Sequence, residues 1–194
     1  MKSVCVFAGA NPGNDPAFIA AAERLGKSIA ERGLAMVFGG GRAGMMGAVS
    51  ASARAAGARV IGIIPQALLT KERAYTGDGV EVEVVDSMHE RKARMAALAD
   101  GFIALPGGYG TFEELCEMIT WSQLGIHRKP CIMVNVNGYF DGLVKLFDHG
   151  VASGLIRAGH RSLALAAPDP DAALDAAQNW VAPELEFKLD WSKR

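Results

Sequence analysis

The chain has 194 residues, half of them hydrophobic, and a formal net charge of -1. That length suits one domain with a proper core and no need of disulfide or metal support. The near-zero charge excludes a basic field for nucleic acid, although a small anionic ligand needs only local positive groups.

The N-terminal apolar run is too short for a signal peptide, and no run approaches the ~18 apolar residues of a membrane span. Cys5, Cys116 and Cys131 are odd in number and lie in apolar stretches. They speak against a disulfide framework and for a reducing compartment, so the cytoplasm is expected. The four histidines show no metal-ligand spacing, and no metal is expected.

In chain order, short apolar runs read as strands at Val4–Ala8, Leu34–Phe38, Arg59–Ile64, Val80–Val85, Phe102–Leu105 and Cys131–Val136, with a seventh at 162–166. Several are apolar on both faces, as buried parallel strands are. Helical patterns fill residues 15–33, 44–56, 87–99, 111–123, 140–152 and 170–180. In the first, Phe18, Ala22, Leu25 and Ile29 form one stripe and Gly33 supplies the stop. The alternation predicts an α/β fold with a doubly wound parallel sheet, with ligands at the carboxyl ends of its strands. A single domain over residues 1–183 is expected, with the polar tail 184–194 on the surface.

Three glycine-bearing loops follow strands: Gly9–Gly13, Gly39–Gly47 and Pro106–Thr111. Glycine lets a backbone approach a ligand, and a helix N-terminus offers free N–H groups to an anion. The second loop matches G-x-G-x-x-G through Gly39, Gly41 and Gly44. The next strand ends Ile64-Pro65-Gln66 and lacks the acid that would hold a ribose, which demotes NAD. Tight packing of a strand–helix turn is the bland alternative for this loop. Gly26-Lys27-Ser28 resembles the end of a P-loop but lies inside the first amphipathic helix and reads as surface helix.

Two helix starts carry charges that need explaining. Ser87 and Glu90 fit a capping box, and the structural reading of Glu90 is preferred. Arg91, Lys92 and Arg94 follow, where cations oppose the helix dipole. A solvated face would explain them, but an anion facing Arg91 and Lys92 explains them better. Thr111 and Glu114 fit a second capping box. A carboxylate there, beside the dipole and a nearby arginine, is expected to stay ionised and could stabilise a sugar cation or orient a water. Spacing alone leaves both readings of Glu114 open.

Pro106-Gly107-Gly108-Tyr109-Gly110-Thr111-Phe112-Glu113-Glu114 matches a P-G-G-x-G-T-x-x-E signature, and Met88–Met95 resembles M-x-x-R-K-x-x-M. With Ile119–His127 and Phe38–Gly47, these segments resemble the Lonely Guy (LOG) family of cytokinin riboside 5'-monophosphate phosphoribohydrolases, over residues 4 to about 167. The resemblance implies a Rossmann-like homodimer with active sites near the subunit interface. It implies hydrolysis of plain or N6-modified adenosine 5'-monophosphate to free base and ribose 5-phosphate, an AMP nucleosidase-like reaction without a cofactor. By position, Arg91 and Glu114 match the catalytic pair. Lys92, Gly107, Gly108, Gly110 and Thr111 match ligand-contacting positions, as do Glu72 and Thr120. Met88, Tyr109, Glu113, Gly40 and Gly41 complete the candidate substrate-binding set, and pocket width near Met88 and Trp121 is expected to govern the base. One departure stands out: Ala8-Gly9-Ala10-Asn11 replaces the family's Cys-Gly-Ser-Ser.

Breaking a base–ribose bond develops positive charge on the sugar, which Glu114 would stabilise while positioning water. Arg91 cannot readily give up a proton, so it would orient Glu114 or donate hydrogen bonds to the base or phosphate. Two rival readings are a non-catalytic nucleotide-binding module and a pyridoxal phosphate-dependent decarboxylase of basic amino acids. For the latter, no lysine lies in a recognisable Schiff-base setting.

Overall fold

The structure is a computed structural model that describes residues 1–69 and 79–184. Its strands are β1 (Ser3–Phe7), β2 (Ala35–Phe38), β3 (Val60–Pro65), β4 (Glu81–Val85), β5 (Phe102–Ala104), β6 (Cys131–Val134) and β7 (Ala164–Ala167). All pair in parallel in one seven-stranded sheet of order β4-β3-β2-β1-β5-β6-β7. The helices are α1 (Pro16–Glu31), α2 (Gly44–Ala55), α3 (Met88–Leu98), α4 (Tyr109–Gln123), α5 (Asp141–Ala152), α6 (Ala158–Arg161) and α7 (Pro170–Gln178). The short α6 was not foreseen, and the strand ends shift by one or two residues from the sequence reading. The expected polar tail falls mostly on residues 185–194, outside the described residues.

Strand side chains alternate between two cores, because successive residues of a strand point to opposite faces. Val4, Val6, Met36 and Phe38 face α1, α2 and α7, which contribute Leu25, Ile29, Met45, Val49 and Leu174. Cys5, Phe7, Val37 and Ile63 face α3 and α4, which contribute Met95, Ala96, Leu115 and Met118. Every residue of β3 is buried, as its unbroken apolar run requires. The three cysteines are free thiols. Among the described residues, no helix is long and apolar enough to cross a membrane.

Asp15 caps α1 by accepting from the Ala17 N–H at 2.8 Å, and Pro16 opens the helix. The stripe on α1 is as read from sequence: Ala22, Leu25 and Ile29 are fully buried, with Phe18 partly so. The reading of Gly26-Lys27-Ser28 as surface needs correction. Only Lys27 is exposed, while Gly26 and Ser28 are buried. A Cβ on Gly26 would lie 2.4 Å from the Val49 carbonyl oxygen and 2.6 Å from the Ala53 nitrogen, so this glycine is where α1 and α2 touch. The contacts are backbone and cannot swing aside. Gly26→Ala is therefore expected to destabilise by about 1–3 kcal/mol, outweighing the ~1 kcal/mol that alanine contributes to helix propensity. A thermal melt would show it, and an unchanged midpoint would mean that the helices part freely.

Candidate active site

The chain runs β1 to β4 toward one edge of the sheet, then crosses back to place β5 on the other side of β1. The loops after β1 and β5 thus diverge at the carboxyl ends of adjacent strands, where ligands bind in open α/β sheets. A cavity of about 540 Å³ opens there. It is lined by Gly9, Ala10, Asn11 and Gly13 after β1, by Gly39 after β2, and by Pro106, Gly107, Gly108 and Gly110 after β5. Phe18, Met45, Met46, Leu68, Met88 and Tyr139 supply its apolar wall. Among the described residues that line it, Arg91 is the cation and Glu114 the acid.

The loops are stitched to one another. The Leu105 N–H donates to the Phe7 carbonyl at 2.9 Å, Gly9 to Pro106 at 3.1 Å and Met46 to Gly9 at 3.2 Å. Gly44 adopts φ +56° and lies so close to the first loop that a Cβ would meet the Ala10 carbonyl carbon at 2.4 Å. Most of the G-x-G-x-x-G loop is therefore close packing, as the bland reading held. Gly40 and Gly41 are buried and do not line the cavity, whereas Gly39 does.

Gly39 has a different reason to be glycine. A Cβ there would sit 1.8 Å from Nη2 of Arg91. The guanidinium lies in this space, donating from Nη2 to the Gly39 carbonyl at 3.1 Å and from Nε to the Ile63 carbonyl at 3.2 Å. Arg91 is 7 % exposed, and its Nη2 stands 3.8 Å from Oε1 of Glu114. The cation that looked misplaced near a helix start is thus seated on two strand-end carbonyls and a carboxylate. Arg94 instead pairs with Glu83 at 2.6 Å on the surface. At the cap, the Glu90 N–H donates to Ser87 Oγ at 3.1 Å, and Glu90 Oε2 accepts from the Asp86 N–H at 2.9 Å.

The second capping box does not form. Helix α4 begins at Tyr109, two residues earlier than expected, with Gly108 as N-cap and no side-chain cap. Without a Cβ at 107, 108 or 110, the chain can enter the helix directly. Thr111 then falls in the first turn, buried, with Oγ1 against Gly107, where a Cβ would meet it at 2.1 Å. Glu114 lies a turn too far along to reach the cap and turns to Arg91. A Cβ on Gly108 or Gly110 would meet no protein atom. No neighbour requires glycine there; what glycine leaves open is access from the cavity to the first-turn N–H groups, which have no intrahelical acceptor.

The expectation of an ionised Glu114 also needs correction. Burial pushes its carboxyl up to about 7. The Arg91 charge pulls the other way, while Glu113 and Glu117 add to the rise. Desolvation wins because the ion pair is long and Arg91 is already shared with two carbonyls.

Of the other residues singled out from sequence, Met88 lines the cavity and is 42 % exposed at its rim. Lys92 is buried but points away, pairing with Glu113 and, at 3.1 Å, with Glu117. Tyr109 is exposed, and Thr120 donates to its own helix at the Cys116 carbonyl, 2.7 Å away. Trp121 packs on the core beneath α4, not at the cavity. Glu72 lies outside the described residues. The reading missed Phe18, Leu68, Met45, Met46 and Tyr139. Tyr139 follows the Asn137-Gly138 turn after β6, and a loop beyond a strand's carboxyl end is itself the signal that could have found it.

A family profile described as "possible lysine decarboxylase" matches residues 46–177. The chain is 52% identical over 192 residues to "Probable cytokinin riboside 5'-monophosphate phosphoribohydrolase LOGL1" of Oryza sativa subsp. japonica, covering 96% of this chain and 86% of that one. It is 45% identical over 191 residues to cytokinin riboside 5'-monophosphate phosphoribohydrolase LOG of the same plant, covering 98% and 78%. It is 43% identical over 195 residues to LOG7 of Arabidopsis thaliana, covering 99% and 89%. Among solved structures, the molybdenum cofactor carrier protein of Chlamydomonas reinhardtii superposes with a TM-score of 0.68 at 21% identity, covering 91% of this chain and 96% of that one, a likeness of fold alone. With three-quarters or more of each of these plant relatives matched at this identity, the chain belongs to the Lonely Guy family of cytokinin riboside 5'-monophosphate phosphoribohydrolases.

Proposed function

We propose that this protein hydrolyses the N-glycosidic bond of plain or N6-modified adenosine 5'-monophosphate, releasing the base and ribose 5-phosphate. The observation that carries this reading is the pairing of Arg91 with Glu114 in the same cleft as the uncapped start of α4. The N–H groups and positive dipole end at Gly108–Thr111 suit the 5'-phosphate. The ribose then lies over Glu114. The bond from C1' to the base breaks ahead of water's attack on C1', and positive charge develops on the sugar between the two events. A carboxyl balanced near neutrality suits both roles assigned to Glu114: its ionised form takes the water's proton and faces the sugar cation. Arg91 stays charged, holding Glu114 in line and donating to the departing base, which takes up a proton from solvent or Glu114. The reaction uses neither metal nor organic cofactor.

Lys92, Glu113, Tyr109 and Thr120 lie off the cleft and are not given a part in this chemistry within one subunit. The protein is proposed to form a homodimer. Helix α5 supports this, since none of its residues is buried and Leu146 and nearby Leu155 are 60% and 86% exposed. The free thiols fit a cytoplasmic setting.

The decarboxylase description of the family profile asks for a reactive lysine, and the residues do not fit it. Among the described residues, no lysine lines the cleft. Burial alone would lower the Lys92 ammonium, but Glu113 and Glu117 outweigh it and hold the group above its ordinary value, protonated and unreactive.

The test is chromatography of the protein incubated with AMP and its N6-isopentenyl analogue, with ADP and adenosine as controls. Base and ribose 5-phosphate should appear from the monophosphates alone. Tight AMP binding with no release would instead make this a binding module.

A further inference from the structure

Tyr139, in the wall of the cleft, reaches the backbone of the glycine loop after β5 with its hydroxyl. Its hydroxyl donates to the Gly107 carbonyl. The ring is held on several sides, edge-on to Phe18 and Phe140 with centroids 5.7 and 5.1 Å away, and stacked at 6.3 Å on Phe112. The turn that delivers it is also tied down. Asn137, at φ +49°, donates to Asp15, which caps α1 through its other oxygen. Asn135 donates to Asp141 and accepts from the Phe140 N–H, both at 2.7 Å.

What this hydrogen bond holds is the Gly107–Gly108 peptide. In a trans peptide the C=O and the following N–H point in opposite directions, so fixing one fixes the other. A peptide between two glycines has little steric resistance to flipping. The neighbouring carbonyls are already engaged: Pro106 accepts from Gly9 and Gly108 from Phe112, each at 3.1 Å. Among the described residues, the Gly107 carbonyl has no such backbone donor and depends on Tyr139. Turned into the cleft, it would present a negative oxygen where a phosphate is to sit.

We propose that Tyr139 is a positioning residue for the 5'-phosphate, locking the Gly107–Gly108 peptide with its N–H group available to the anion. It acts on binding and not on bond cleavage. The inference rests on the reading of the cleft as a nucleoside monophosphate site.

Tyr139→Phe tests it, since the ring contacts survive and only the hydroxyl is lost. The Kd for AMP and for ribose 5-phosphate, by titration calorimetry, is expected to rise about 5- to 30-fold, the loss of one hydrogen bond and its fixed peptide. KM should rise in step and kcat stay within about threefold, because the interaction is made equally in ground and transition states. Affinity for adenosine, which has no phosphate, should not move, and the melting temperature should fall by no more than about 2–4 °C, as for one lost hydrogen bond. Unchanged affinity for ribose 5-phosphate in the variant would overturn the proposal. Equal weakening of AMP and adenosine would also overturn it, assigning Tyr139 to the sugar or base. The parent protein separates this failure from that of the underlying reading: if it neither binds ribose 5-phosphate nor releases base from AMP, the site itself has been misread.

Discussion

Glu114→Gln is expected to lower kcat by about 10³-fold or more while making the protein more heat-stable at alkaline pH. Glutamine keeps the shape of the side chain but can neither accept the water's proton nor face the sugar with a full charge. The stability effect follows from the carboxyl's surroundings. In the folded chain it titrates at about 7, against an ordinary value of 4.5. A raised carboxyl contributes its stability in full below pH 4.5, where it is neutral in both states. That contribution is lost as pH rises toward 7, because the folded state must then hold a buried charge that the unfolded state leaves in water. Above pH 7 the loss amounts to about 3 kcal/mol, set by the gap between 4.5 and about 7. The variant carries no such burden, so its melting temperature should exceed the parent's by roughly 5–10 °C at pH 8 and converge with it near pH 4. Melting curves at the two pH values, alongside turnover of AMP, are the measurement. Parallel curves would mean that this carboxylate is ionised throughout, and retained turnover would remove it from the mechanism.

Removing or unseating Arg91 should be comparably severe. Arg91→Ala leaves the buried Gly39 and Ile63 carbonyls without their donor, at about 1–3 kcal/mol each, and strips Glu114 of its counter-charge. Gly39→Ala reaches the same end without touching either member of the pair, since the new Cβ would fall 1.8 Å from Nη2 and 2.9 Å from Cζ of Arg91. The guanidinium must move, and a displacement of that order costs about 10²-fold in kcat. Both variants should also shift the acid limb of the pH–rate profile upward, because the Arg91 charge is what lowers the Glu114 carboxyl. Near-parental kcat with an unmoved profile in Gly39→Ala would show that the seat of Arg91 does not matter to the reaction.

The sheet was legible because its strands are short, apolar and bounded by glycine, and because the helices between them carry the 3.6-residue stripe seen at Ala22, Leu25 and Ile29. The cleft was legible where a motif is local, as in Gly107–Glu114. What escaped were relations between distant segments. Thr111 and Glu114 have the spacing of a capping box, yet the glycines before them let α4 start earlier and free the carboxylate for Arg91. The protonation of Glu114 was misjudged because burial by the surrounding fold is not written in its neighbours along the chain. Lys92 adjoins Arg91 in sequence, but one step round a helix turns it from the cleft toward Glu113 and Glu117. Nothing in the run Val37-Phe38-Gly39 announces that its glycine makes room for an arginine more than fifty residues away.

The crossing from β4 back to β5 has a consequence for how the site comes into being. Strands β1 and β5 are neighbours in space but half the chain apart, so their pairing closes a very long loop. Contacts of that span carry a large loop-closure entropy and are slow to form. Gly39 and the first loop lie before the crossing, Arg91 lies on α3 within it, and Glu114 and Tyr139 come after it. A bound nucleotide acts as a clasp between the two halves, and its binding energy adds to the stability of the whole sheet, not to that of one loop.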